Sequence, residues 1–214
     1  MEGTEKRMTH IDKTTIFTEE VYSFTMPNHE KWSKKIKDII LVENNKELHG
    51  HTTIPEEACN VKARRTAWDS HFRYPSIGSL THELAGILGG LIERENFDAP
   101  NLRVQDSWIN WYEKNNHTVP HHHGNHLSVV YFVDVEDSKA DFLFLRQDRF
   151  QLVKKEGNKT LHNNIKSVEV KNGSVLVFNG SLTHAVTANL SDSTRITFAV
   201  NYAVEYYDEK RNDY

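Results

Sequence analysis

Residues 120–126 read PHHHGNH, which places four histidines within six positions, and a further histidine, His184, lies downstream. Neutral imidazole is the commonest metal ligand in proteins, and iron, zinc, copper and nickel all accept it. Both histidine segments adjoin runs rich in β-branched residues, 127–133 and 175–178, so we expect them at strand ends. The pattern favours a metalloenzyme built on a β-barrel.

The spacing of these histidines selects three of them as ligands. In an extended segment, residues i and i+2 point to the same face, so His121 and His123 can bind one ion while His122 points away. His184 follows a turn signal at 179–181 and begins an apolar strand, which makes it the candidate third ligand. His126 could approach the site or pack as an ordinary strand residue, and the spacing leaves both options open.

Hydrophobic periodicity predicts one domain over residues 1–214 with two unlike parts. The first, 1–100, holds an extended segment at 14–26 and two helices, from 27 to about 44 and over 79–96, with polar irregular chain at 45–78. The second, 101–204, holds short apolar runs separated by turn signals, and a polar tail follows at 205–214. We expect strands at 103–112, 127–134, 140–146, 166–170, 174–179, 184–188 and 194–204. Many short strands indicate a sandwich or barrel, with the two helices supporting one sheet.

Composition excludes several classes of protein. The formal net charge of -4 and the lack of a long basic run argue against a general nucleic-acid binder, and the pair Arg64-Arg65 is expected to be solvated. A single cysteine, Cys59, excludes an intramolecular disulfide. Without a run of about 20 apolar residues or a signal-peptide core, we expect no membrane partner and a cytoplasmic location. Oligomeric state stays open, with a homodimer among the options.

Several segments resemble the Fe(II)/2-oxoglutarate-dependent oxygenases. Residues 121–130 (HHHGNHLSVV) are similar to the first metal strand of that superfamily, and His184 is followed at a typical distance by Arg195 in RITFAVN (195–201). The closest resemblance is to the oxygenases of this kind in marine bacteria and their phages. It is carried by SWINWY (107–112), LSVVYF (127–132), FLFLR (142–146) and GSVLVF (173–178), and it covers roughly residues 66 to 202.

The resemblance implies a fold, an activity and cofactors. The fold is mainly β, a double-stranded β-helix (a jelly-roll or cupin-like barrel) with buttressing N-terminal helices. The activity is that of a dioxygenase that uses Fe(II), 2-oxoglutarate and O2, usually to hydroxylate a substrate while releasing succinate and CO2. The substrate, a small molecule or a peptidyl side chain, is not identified by the sequence.

The resemblance also implies roles for particular residues. The metal ligands are His121, His123 and His184. Arg195 would bind the distal carboxylate of 2-oxoglutarate, with help from Thr197 two residues along the same strand face. The candidates that line the same pocket are Asn110, Tyr112 and Tyr131, and Arg146 is a candidate substrate contact.

One ligand departs from the superfamily pattern. Most members use two histidines and a carboxylate, but position 123 is histidine. Three neutral imidazoles leave the site one negative charge short, which should weaken retention of Fe(II). A carboxylate from elsewhere, for example Asp69 or Asp106, could complete the shell.

Two other interpretations compete with this one. A cupin-type dioxygenase also uses His-x-His and a later histidine, but its usual glutamate is missing from residues 124–133. A non-enzymatic jelly-roll binding module would use the same barrel without cosubstrate. Neither requires an arginine at the spacing of Arg195.

Overall fold

The structure, a computed structural model, describes residues 19–44, 60–97, 101–146, 154–156, 159–161 and 165–205. Three predicted stretches lie wholly or partly outside these ranges: residues 14–18 of the extended segment, residues 45–59 of the irregular chain and residues 206–214 of the tail. The helices are α1 (His29–Asn44), α2 (Ser70–Arg73) and α3 (Pro75–Arg94). The strands are β1 (Val21–Thr25), β2 (Val61–Lys62), β3 (Arg64–Arg65), β4 (Asn101–Tyr112), β5 (His117–His121), β6 (Leu127–Asp134), β7 (Phe142–Leu145), β8 (Lys154–Glu156), β9 (Lys159–Leu161), β10 (Ile165–Val168), β11 (Ser174–Asn179), β12 (His184–Val186) and β13 (Arg195–Glu205).

Two antiparallel sheets form the body of the molecule. The larger sheet has the strand order β1-β11-β6-β13-β4-β3, and the smaller has the order β10-β7-β12-β5-β2. Strands β8 and β9 pair only with each other. Side chains from both main sheets meet in one apolar cluster, including Tyr112 and Phe132 from the larger sheet and Phe142 and Val186 from the smaller. The described residues therefore form a two-sheet, mainly β structure with supporting helices, as predicted.

Period-two alternation gives the larger sheet two different faces. On β13, one set of residues packs in the core under the helices, and this set is Ile196, Phe198, Val200 and Tyr202. The same core takes Trp32 and Ile36 of α1 and Leu80 and Leu84 of α3, so these helices cover the outer face of the sheet. The alternate residues of β13 point between the two sheets, and these are Arg195, Thr197, Ala199 and Asn201. This second set contains the buried polar residues of β13, which therefore face the barrel interior.

The largest difference between the predicted and observed helix boundaries is at the start of the second predicted helix. The second predicted helix starts at 79, whereas α3 begins at Pro75, and the short α2 precedes it within the stretch expected to be irregular. Pro75 is a helix start here because its fixed φ suits the first helical position, where no amide donor is needed. Among the described helices, none combines the length and the apolarity needed to cross a membrane.

The core under the helices should dominate the stability of the protein. Phe198 is fully buried in that core, and its replacement by alanine should lower the free energy of unfolding by about 3–5 kcal/mol, because a large cavity would remain. Phe72 is 81% exposed, so Phe72→Ala should change the free energy of unfolding by no more than about 0.5 kcal/mol. Urea denaturation of both variants measures the difference. Equal effects would contradict the assignment of the core.

Candidate metal centre

Strand pairing brings the first and third predicted ligands together. His121 is the last residue of β5 and His184 the first of β12, and the two residues are directly opposite in the antiparallel pair. Opposed residues share a face of the sheet, so both imidazoles point into the same space. His123 follows two residues after His121, in the turn that leaves β5.

The three imidazoles form a compact group. The ring centroids lie 4.3 Å apart for His121 and His184, 5.0 Å apart for His121 and His123, and 5.1 Å apart for His123 and His184. One nitrogen from each ring lies within 4.8 Å of the other two. His184 is buried, and the other two are half-buried. This arrangement can hold one metal ion through three nitrogen ligands and leave positions open on the other side.

Backbone carbonyl groups determine which ring nitrogen carries the proton in two of these imidazoles. Nδ1 of His121 donates to the carbonyl oxygen of Val119, and Nδ1 of His184 donates to that of Leu182, each at 2.9 Å. A carbonyl oxygen only accepts, so Nδ1 carries the proton in both rings. The lone pair of Nε2 is therefore left for a metal, which is the usual arrangement of a metal-binding histidine.

Burial keeps the three histidines neutral. Burial, with a contribution from the neighbouring histidines, lowers the pKa of His184 to about 3 and that of His123 to about 4. Burial also lowers the pKa of His121. Neutral imidazole is the form that binds metal, so the site is ready for an ion at neutral pH.

The turn that carries His123 is tied to the segment before β12. The amide of His123 donates to the carbonyl oxygen of Gly180 at 2.7 Å, and the amide of Gly180 donates to that of His126 at 2.6 Å. A Cβ at Gly180 would lie 2.9 Å from the carbonyl oxygen of His126 and 3.0 Å from that of Gly124. Gly124 itself has a φ of 77°, in the left-handed region. The close approach at Gly180 therefore sets the position of His123 relative to His184.

A pocket lies between the sheets beside the three histidines. Its lining includes Asn110, Tyr112 and Thr197, three of the predicted cosubstrate contacts. The Tyr112 hydroxyl lies 3.0 Å from that of Thr118, and burial raises the pKa of Tyr112, which keeps the phenol protonated. The side-chain oxygen of Asn110 is buried without a hydrogen-bond partner. The remaining lining residues, which the sequence did not single out, are Val61, Trp108, Thr118, Val130, Phe142, Val186 and Ala199.

Arg195 lies on the interior face of β13, two residues from Thr197, and is only 1% exposed. Its Nη1 donates to the hydroxyl of Ser138 and to the carbonyl oxygen of Ala140, both at 3.0 Å. Its Nε and Nη2 are buried and have no hydrogen-bond partner. These two nitrogens form one edge of the guanidinium, the edge that binds a carboxylate through two parallel hydrogen bonds. Burial lowers the pKa of Arg195, but a guanidinium stays charged in proteins.

Tyr131 does not reach the pocket, which corrects the prediction for this residue. It is opposite Phe198 across β6 and β13, so it faces the helices and packs in the core beneath them. Its hydroxyl lies 2.6 Å from Nδ1 of His29 in α1. The prediction placed a polar aromatic side chain in the site without fixing which face of β6 it occupies.

The two carboxylates considered as a fourth ligand have other partners. Asp69 accepts a hydrogen bond from Nε of Arg73, and Asp106 accepts one from the side-chain amide of Asn201 at 2.8 Å. Within the described part of the chain, the ligand group contains three imidazoles and no carboxylate.

Three further sequence candidates lie in different surroundings. His122 and Arg146 are exposed, and His126 is half-buried with its Nδ1 buried and without a hydrogen-bond partner.

The expectation that Arg64-Arg65 is a solvated pair is wrong for Arg65, which is 5% exposed. Alternation along β3 is the signal that could have separated the two arginines.

Comparison with known proteins agrees with this geometry. Residues 106–201 match the model of a family described as "Putative 2OG-Fe(II) oxygenase". Strands β5 to β12 and all three histidines lie within that match. The cluster of His121, His123 and His184 fits an iron site of 2-oxoglutarate oxygenases. A search of curated protein sequences found no match.

Solved structures show the same fold. HygX from Streptomyces hygroscopicus, with nickel, 2-oxoglutarate and hygromycin B bound, is 14% identical, with a TM-score of 0.61 over 86% of this chain and 82% of its own. The non-heme alpha ketoglutarate dependent carbocyclase SnoK from nogalamycin biosynthesis is 18% identical, with a TM-score of 0.60 over 87% of this chain and 80% of its own. A Pseudomonas putida prolyl-4-hydroxylase is 11% identical, with a TM-score of 0.59 over 86% of this chain and 92% of its own.

These likenesses confirm the predicted double-stranded β-helix with its N-terminal helices. At such identities they show the fold and leave the reaction to be argued from the site. None of them distinguishes a marine bacterial or phage group, so that resemblance stays a prediction, as does the division into residues 1–100, 101–204 and 205–214.

The contact at Gly180 should control metal affinity. Gly180→Ala would push the backbone around His123 and His126 apart, so we expect about a 10-fold loss of Fe(II) or Zn(II) affinity, the scale seen when support of a ligand is removed. Gly86→Ala is the matched control, because a Cβ at Gly86 meets nothing within 4 Å. Anaerobic metal titration measures both. Unchanged affinity in Gly180→Ala would contradict the role of this contact.

The stability of the metal-free protein should fall below pH 6.5. The pKa of His184 is near 3 in the folded state and near 6.5 when unfolded, so the unfolded chain binds the proton more readily and stability is lost as the pH falls. Between pH 7 and pH 5, we expect the free energy of unfolding of His184→Gln to fall by about 2 kcal/mol less than that of the native chain. Urea denaturation at both pH values measures this difference.

The exposed Phe72, which does not titrate, supplies the control for this measurement. Phe72→Ala should keep the pH dependence of the native chain. If His184→Gln showed that same dependence, His184 would not be the buried neutral group described here.

Proposed function

We propose that this protein is a non-haem Fe(II)- and 2-oxoglutarate-dependent oxygenase that hydroxylates its substrate and releases succinate and CO2. The observation that carries the proposal is the buried guanidinium edge of Arg195, whose Nε and Nη2 have no partner. It lies on the same strand face as Thr197, which lines the pocket beside the three histidines. A buried charged donor without a partner is costly, and a bound carboxylate removes that cost.

His121, His123 and His184 would hold the iron through Nε2 of the first and third and one ring nitrogen of His123. When bound, Fe(II) with 2-oxoglutarate supplies the oxidising chemistry with O2. The protein's own part is to hold neutral imidazoles in place, which burial and the two carbonyl contacts do. The apolar walls of the pocket, among them Val130, Phe142 and Val186, limit the access of water.

Arg195 would bind the far carboxylate of 2-oxoglutarate through two parallel hydrogen bonds. Ser138 and Ala140 hold the third guanidinium nitrogen, so the free edge is fixed before the ligand arrives. Tyr112 is directly opposite Arg195 across β4 and β13, and Asn110 is opposite Thr197. Tyr112, Asn110 and Thr197 line the pocket beside the histidines, where their hydroxyl and amide groups would orient the cosubstrate.

The three-histidine ligand set favours one alternative, a cupin-type dioxygenase that uses no cosubstrate. Such an enzyme would not need the buried edge of Arg195, and neither would a non-enzymatic binding module. We also propose a small-molecule or peptidyl substrate and a cytoplasmic location, the latter favoured by the single cysteine.

Anaerobic titration of the metal-free protein with Fe(II) and then 2-oxoglutarate tests the proposal. A visible charge-transfer band of the chelate should form in the native chain, and His184→Ala should abolish it. Arg195→Gln should raise the Kd for 2-oxoglutarate about 100-fold, the size expected for losing charged hydrogen bonds worth about 3 kcal/mol, while iron still binds.

Arg103→Gln is the matched control, because Arg103 is an exposed residue of β4 paired with Glu205. It should leave the band and the Kd unchanged. Bound iron without any band on addition of 2-oxoglutarate would contradict the proposal and favour the cupin-type alternative.

A further inference from the structure

A row of polar residues crosses the interior face of the larger sheet, next to the segment that carries Gly180. The register places Asp106 of β4 opposite Asn201 of β13, and Asn201 opposite Ser128 of β6. Directly opposed residues of an antiparallel pair share a face, and Asn201 faces the barrel interior. We call Asp106, Asn201 and Ser128 the polar row.

Hydrogen bonds join the three side chains of the polar row. The hydroxyl of Ser128 donates to Oδ1 of Asn201 at 2.7 Å, and Nδ2 of Asn201 donates to Oδ1 of Asp106 at 2.8 Å. Ser128 and Asn201 are buried, so bulk water does not compete for the bond between them. An ionised carboxylate only accepts hydrogen bonds, whereas an amide both donates and accepts. Asp106 therefore fixes the orientation of the Asn201 amide, which in turn fixes the direction of the Ser128 hydroxyl.

A β-bulge in β4 allows Asp106 to join the polar row. Val104 is opposite Tyr202, which lies in the core under the helices, whereas Asp106 is opposite Asn201 on the interior face. Strict alternation would put residues 104 and 106 on the same face, but the register shifts between Asn201 and Tyr202 and leaves Gln105 as the extra residue. Bulges re-aim side chains and are common beside active sites. The pairing of β4 thus becomes irregular at the residue that completes the row.

The Ser128 end of the polar row contacts Gly180. A Cβ at Gly180 would lie 2.9 Å from Oγ of Ser128, as close as it would lie to the carbonyl oxygen of His126. Because Ser128 donates its proton to Asn201, its hydroxyl turns the oxygen and not the hydrogen toward Gly180. Gly180 is therefore packed between the Ser128 hydroxyl and the turn at 123–126.

Gly180 in turn holds the backbone of His123. The carbonyl oxygen of Gly180 accepts from the amide of His123 at 2.7 Å, and the amide of Gly180 donates to the carbonyl oxygen of His126 at 2.6 Å. His121 and His184 pair within strands, whereas His123 lies in the turn that leaves β5. A displacement of Gly180 should therefore move His123 more than the other two ligands.

We infer that the polar row of Asp106, Asn201 and Ser128 positions the metal ligand His123, acting through Gly180. These three are positioning residues, because the ligand group in the described part of the chain consists of three imidazoles. The inference rests on the metal centre of the proposed function and requires no cosubstrate. Asp106, considered above as a fourth ligand, would support the site through hydrogen bonds and not by coordination.

Co(II) binding tests the inference, because the visible absorption bands of Co(II) depend on the number and geometry of its ligands. Metal-free protein is titrated anaerobically with Co(II) at pH 8 without 2-oxoglutarate, and His123→Ala provides the spectrum of a site that lacks this ligand. In Asn201→Asp two ionised carboxylates would face each other, so the hydrogen bond to Asp106 is lost. We expect Co(II) to bind about 10-fold more weakly, with a spectrum shifted toward that of His123→Ala.

Reversing the pair should rescue the site. In the double variant Asp106→Asn/Asn201→Asp, the amide at position 106 can donate to the carboxylate at position 201, which still accepts from Ser128. The net charge is unchanged, and we expect the native Co(II) affinity and spectrum. Ser128→Ala removes the hydroxyl that contacts Gly180 and should shift the spectrum in the same direction as Asn201→Asp.

Tyr202→Phe is the matched control. Tyr202 follows Asn201 in β13 but faces the helices, where its hydroxyl donates to the carbonyl oxygen of Thr81 at 2.7 Å. The variant loses a buried hydrogen bond and should keep the native Co(II) affinity and spectrum. An equal loss in Tyr202→Phe would overturn the inference, as would native binding in Asn201→Asp or the absence of rescue in a folded double variant. If Asn201→Asp does not fold, a native spectrum in Ser128→Ala overturns it.

The chelate band with Fe(II) and 2-oxoglutarate separates this inference from the proposed function. If the native chain gives no band but the Co(II) results are as expected, the proposed function fails and the inference stands. If the band forms while Asn201→Asp and Ser128→Ala keep the native Co(II) spectrum, the inference alone fails. A native Co(II) spectrum in His123→Ala would also overturn the inference, because His123 would then not be a ligand.

Discussion

The antiparallel pairing of β5 with β12 is the constraint on which the site depends. It places His121 directly opposite His184, although the two residues are far apart in the sequence. Both rings then donate Nδ1 to a carbonyl oxygen two residues earlier in their own segments, so the same local arrangement is repeated on each strand. The third ligand, His123, is held by backbone hydrogen bonds to Gly180, just before β12. A shift of this pairing by one residue would turn His184 away from His121.

Side chains alternate along the strands of the larger sheet, so one face carries residues of the core and the other carries residues of the candidate site. One face packs against α1 and α3 and holds the aromatic core, including Tyr131 and Phe198. The other face holds Asn110, Thr197 and the two buried arginines, Arg65 and Arg195. Strands β4 and β13 contribute side chains to both faces. The role of a residue therefore depends more on which face its side chain points to than on its residue type. The correction for Tyr131 and the one for Arg65 have this single cause.

The site combines neutral ligands with buried positive charge. Burial keeps the three imidazoles unprotonated, and the guanidinium of Arg195 stays charged in the same interior. Burying charge without a counterion is expensive, so the interior is suited to bind anions. The histidine at position 123 adds to this, because its neutral imidazole brings no negative charge to the ligand group. The ligand set and the charge of the pocket are therefore linked.

The sequence predicted the strand-rich architecture, the helices that cover one sheet, and the three histidines, because hydrophobic periodicity and ligand spacing are local patterns. It also selected Arg195 and Thr197 through a resemblance in their spacing from His184. It missed the start of α3, because Pro75 marks both loops and helix starts, and it placed Arg65 in solvent. Tertiary structure alone decided which face of each strand is interior, which carboxylates are engaged elsewhere, and which edge of Arg195 has no partner. These depend on strand register and on contacts between distant segments, and no local pattern in the chain encodes them.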